Sequence, residues 1–187
     1  IMGELIRFVS AHEVGHTIGL PHNMGSSFAY HVDSLRSPTF TANHGVAPSI
    51  MDYARFNYVA QPEDGVTNFY PRVGEYDIWS VKWGYTYFDG EDQNTEKEIL
   101  NKWIKEKANN YQYWFGYSNG IDPRSQTESI GSDNMDASYY GLLNLKRIVP
   151  NLINWTYEDG KNYDDLKELY LNVYSQELSP IQSFKMD

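Results

Sequence analysis

The chain has 187 residues, 25 of them acidic and 15 basic, for a formal net charge of −10, and it contains no cysteine. This length suits one domain or one and a half, and 16% aromatic residues give it a core to bury. The acidic balance without a basic cluster argues against nucleic acid as a partner, the lack of cysteine excludes disulfides and catalytic thiols, and no uninterrupted apolar run is long enough to cross a membrane.

The first element is a helix carrying His12, Glu13 and His16. Residues four apart lie on one helical face, about 6 Å apart along the axis, so His12 and His16 can grip one metal ion. Glu13 projects about 100° around the helix from His12, near enough to polarise a water at the metal without ligating it, which is the position of a general base. Gly19 can take the left-handed conformation that ends a helix, and Pro21 prevents the helix from resuming. The chain can then double back to present His22 as a third ligand, leaving a fourth position for water. Zn²⁺ suits three neutral imidazoles with an open tetrahedral position, although copper or nickel could occupy it in vitro. Zinc can lower the pKa of its bound water from about 15.7 to about 7 while polarising a scissile carbonyl, and peptide hydrolysis needs both effects. The bland alternative is a polar helix whose histidines serve packing or solvation.

His12, Glu13, His16, Gly19 and His22 together resemble the long zinc signature of the metzincin clan of metalloendopeptidases. Asn23 departs from the residues that follow the third histidine in the better-known families, so no specificity carries over. Residues 23 to 48, with Gly25, Pro38, Gly45 and Pro48, read as a long connecting loop. His31 and His44 in it could bind a second ion, but loop histidines are more often solvated or hydrogen-bonded. The loop leads to Ser49-Ile50-Met51-Asp52-Tyr53, which is similar to the clan's Met-turn. The resemblance makes Met51 an apolar floor beneath the ligands, and it makes Tyr53 a phenol able to approach the metal or donate a hydrogen bond to developing negative charge. A purely packing tyrosine is the competing reading.

Residues 54 to 74 are again irregular, with Pro62, Gly65, Pro71 and Gly74, and the clan's layout makes them a wall of the substrate cleft. Residues 75 to 85 read as a helix resembling the one that closes the metzincin core, with Asp77 in its first turn and Gly84 as its stop. Thr95-Glu96-Lys97-Glu98 is a capping-box pattern before a helix expected over about 95 to 109. The aromatic run Tyr111 to Tyr117 reads as core packing rather than a ligand platform. Asp122-Pro123-Arg124 and Ser132 to Asp136 offer turn and capping chemistry, with calcium a remote alternative. Two further amphipathic helices are expected over 137 to 148 and 163 to 178.

The expected fold is mainly α, with any sheet minor: residues 1–85 as the metzincin-like catalytic segment and 86–187 as a helical C-terminal extension. Metzincin domains carry a twisted sheet before the zinc helix, with an edge strand that aligns extended substrate. The chain starts almost on that helix, so an upstream part of the same polypeptide is expected to complete the cleft. The implied function is a zinc-dependent metallopeptidase acting on a protein or peptide substrate, with Zn²⁺ on His12, His16 and His22, and Glu13 deprotonating water and passing the proton to the leaving amine. The resemblance extends to a little-characterised group of exported bacterial zinc metalloproteases, which implies an extracytoplasmic location. Two alternatives stay open. One is a non-catalytic zinc-binding or interaction domain of an inactive homologue, and the other is hydrolysis of some other amide or ester.

Overall fold

A computed structural model describes residues 2–54, 56–117 and 121–183, with side chains described to Ser175. Among the described residues there is no strand, in keeping with the mainly α expectation. The chain forms two compact units, residues 1–134 and 135–187. No helix among the described residues is long and apolar enough to cross a membrane.

In the first unit, α1 (Met2–Thr17) carries the histidine motif. The segment expected to be a loop instead contains two short helices, α2 (Val32–Leu35) and α3 (Pro38–His44), and a 3-10 turn at Ser26–Ala29. Each helix is too short to show an apolar period, but each is capped: His31 Nδ1 accepts from Asp33 N, and Ser37 Oγ accepts from Phe40 N with Pro38 opening the helix. These pieces and the turns after them supply most of the core, with Leu35, Val46, Met51 and Val59 fully buried. Residues 54 to 74 are irregular as expected, with a single 3-10 turn at Pro62–Asp64.

α4 (Glu75–Tyr85) matches its expected span. Gly84 does not stop it: the helix runs one residue further and ends at Thr86, which has extended dihedrals. α5 (Gln93–Lys107) is capped by Asp92, whose Oδ1 accepts from Asn94 N at 2.7 Å and Thr95 N at 3.1 Å, so the expected box at Thr95 is displaced by a stronger cap one turn earlier. The aromatic run is only partly core. Trp114 is half-buried with its ring against Gly25 and Phe28, whereas Tyr111, Phe115 and Tyr117 are exposed. Residues 128 to 132 belong to the first unit and bond to its earlier part, where Glu128 N donates to Tyr53 O and Ser132 N to Tyr30 O.

The second unit comprises α6 (Asn134–Ile148), α7 (Leu152–Thr156) and α8 (Asp164–Ser183). Pro150 has no N–H to continue α6, so the chain passes through a 3-10 turn at Val149–Asn151 into the unexpected α7. α7 packs against α8, and Leu152 and Val173 are buried.

Candidate metal centre

α1 brings His12 and His16 onto one face, with ring centroids 4.8 Å apart. The helix then ends in a Schellman motif: Leu20 N donates to Gly15 O and Gly19 N to His16 O, with Gly19 at φ +86°. That left-handed residue turns the chain so that His22 comes back over the helix. One nitrogen from each of His12, His16 and His22 lies within 4.8 Å of the other two, and the three form a cluster that could hold a metal ion.

The second nitrogen of two of these rings is already engaged. His12 Nδ1 donates to Ile50 O at 2.8 Å and His16 Nδ1 to Leu20 O at 2.9 Å. Since only a protonated ring nitrogen can donate to a carbonyl, both Nε2 atoms are left with lone pairs directed into the cluster. His16 Nε2 and His22 Nε2 are 3.0 Å apart. A tetrahedral ion with bonds of about 2.0–2.1 Å needs about 3.3 Å, so the donor set fits a zinc-sized ion with a small adjustment. Burial, then the charges of His16 and His12, hold the His22 imidazole below its ordinary pKa, with Glu13 opposing them. That favours the neutral, ligating form.

Met51 is fully buried beneath this face. A Cβ on Gly15 would overlap Met51 Sδ, so the close approach of the helix to the turn depends on a glycine one residue before His16. Tyr53 stacks on His12 at 5.4 Å and lies 4.6 Å from the His22 ring, with more than a third of its surface exposed. Glu13, also exposed, lines a hollow of about 280 Å³ with His12, Tyr53, Phe8, Val9 and Phe56.

A family model described as Met-zincin matches residues 1–182. The chain belongs to the Met-zincin family. No curated protein and no solved structure matches it.

Three residues that the sequence pointed to for other reasons, Asn23, Ser49 and Asp77, tie the surroundings of the histidine cluster together in this Met-zincin. Asn23 is completely buried; its backbone N donates to Met51 O, its side-chain Nδ2 donates to Trp114 O, and its side-chain Oδ1 accepts from Gly116 N. It ties the residue after His22 to both the Met51 turn and the aromatic segment, and a lone asparagine in a sequence carries no signal of such a role. Asp77 and Ser49 are likewise buried and bonded to each other. Burial pushes the Asp77 carboxyl up against the opposing pull of its hydrogen bonds from Ser49, Gly74 and Ile50. His31 and His44 are not in the cluster. His31 caps α2, and His44 Nδ1 lies 2.6 Å from Glu75 Oε1, whose partner oxygen accepts from Tyr30 Oη at 2.9 Å.

Proposed function

We propose that this Met-zincin is a zinc-dependent metallopeptidase that hydrolyses peptide bonds in a protein or peptide substrate. The observation that carries the reading is the convergence of three imidazoles, two with their far nitrogens fixed by backbone carbonyls, beside a hollow lined by Glu13 and Tyr53. His12, His16 and His22 would hold the ion, which when bound would supply Lewis acidity to polarise a peptide carbonyl and make a neighbouring water acidic. Glu13 takes the proton of the attacking water and returns it to the leaving amine. The Tyr53 hydroxyl donates a hydrogen bond to the oxygen on which negative charge develops. Met51 supports the ligands from below.

The reading includes an extracytoplasmic location.

The test is digestion of a peptide library by the zinc-loaded full chain, with and without chelator, next to Glu13→Gln. The variant should bind zinc as the wild type does and lose about 10²–10⁴-fold in hydrolysis. Retained hydrolysis in Glu13→Gln would overturn the role of Glu13. Zinc binding without any hydrolysis by the wild type would turn the assignment to a non-catalytic zinc-binding domain.

A further inference from the structure

The ligand His12 does not end its hydrogen bonding at Ile50. The Ile50 carbonyl belongs to the peptide unit whose N–H is that of Met51, and Met51 N donates to Ser49 Oγ at 3.1 Å. Ser49 Oγ in turn donates to Asp77 Oδ1 at 2.5 Å. The other oxygen of Asp77 accepts from Ile50 N at 2.7 Å and Gly74 N at 2.9 Å. His12, Ser49 and Asp77 are all at most 5% exposed, so the chain of bonds runs through protein and not through water.

We propose that Ser49 and Asp77 are positioning residues for His12, joined to it by one continuous relay from carboxylate to hydroxyl to peptide to imidazole. The inference rests on reading the three histidines as metal ligands.

The direction of every bond is determined by chemistry. Two of the donors to Asp77 are backbone N–H groups, which can only donate, and the Ser49 hydroxyl must donate to the carboxylate if it is to accept from Met51 N. Each bond then polarises the next in the same sense, an effect that is larger at low local dielectric. The Ile50 carbonyl becomes a stronger acceptor, the His12 proton is held on Nδ1, and Nε2 becomes a better donor to a metal. Among the described residues His16 has no corresponding hydroxyl and carboxylate: its acceptor is the Leu20 carbonyl, and the nitrogen of that peptide unit is that of Pro21, which has no hydrogen to donate. The two ligands on α1 are therefore supported unequally.

The experiment is zinc affinity of the full chain, measured by chelator competition, for wild type, Ser49→Ala and Ser49→Thr, with the His12 imidazole proton and nitrogen followed by NMR in the metal-free proteins. Ser49→Ala leaves the Asp77 bonds to Ile50 and Gly74 in place. It should lower zinc affinity about 10–100-fold and move the His12 Nδ1 proton upfield, while Ser49→Thr restores both. A folded Ser49→Ala that binds zinc as the wild type does, with an unmoved His12 proton, overturns the relay and leaves the metal site standing. A wild type that binds no zinc overturns both. Should Ser49→Ala fail to fold, the wild type alone decides: the His12 Nδ1 proton should lie further downfield than that of His16, and equal shifts would overturn the proposal.

Discussion

Two regions of the first unit meet at the histidine cluster, and they are packed in opposite ways. α1 is a regular helix of 16 residues that buries only His12 and Gly15, while Met2, Ile6, Val9 and Val14 on it are exposed. The segment from Asn23 to Val66 consists of short helices, turns and loops, yet it contains Leu35, Val46, Ile50, Met51 and Val59, all 0–2% exposed. A regular backbone satisfies its own hydrogen bonds and can stand at a surface, whereas an irregular one must find partners for each N–H and C=O. The buried amide of Asn57 illustrates this, donating to Leu35 O and accepting from Val59 N and Ala60 N. The helix thus presents His12 and His16, and the irregular segment sets where His12 points.

The largest test of this contrast is Leu35→Ala. It removes a side chain with no exposure and should cost about 2–5 kcal/mol in chemical denaturation, through lost transfer energy and the cavity left behind. A smaller effect, spread over pH, is expected at Asp52. Its carboxyl is pushed up to about 7 by burial, against hydrogen bonds led by that from Ser27, and its Oδ1 has no hydrogen-bond partner among the described residues. The folded state therefore holds a proton that the unfolded chain releases at about pH 4. The stabilisation from this group is fully present below that pH and is lost as pH rises through about 7. Asp52→Asn should flatten the fall in melting temperature between about pH 4 and 7, and an unchanged slope would show that Asp52 does not titrate there. The smallest effect belongs to Val14→Ala on α1, 57% exposed, which should change stability by no more than about 0.5 kcal/mol. A cost similar to that of Leu35→Ala would erase the distinction between the two regions.

Sequence alone determined the features set by local geometry. The four-residue spacing of His12 and His16 requires only a helix, and the Gly19 turn only a left-handed residue at its end, so both were legible, as was the span of α4. Helices of four to seven residues gave no period to read, and Asp92 outcompeted the more familiar pattern at Thr95 because a carboxylate caps two N–H groups at once. Tertiary structure decided everything that depends on residues far apart in the chain. It set Met51 under Gly15, Tyr53 against His12 and His22, Asn23 onto the aromatic segment, and Asp77 behind Ser49. An aspartate in a helix's first turn looks the same in sequence whether it faces water or holds a turn 28 residues away. Only packing removes the water and gives that carboxylate its partners.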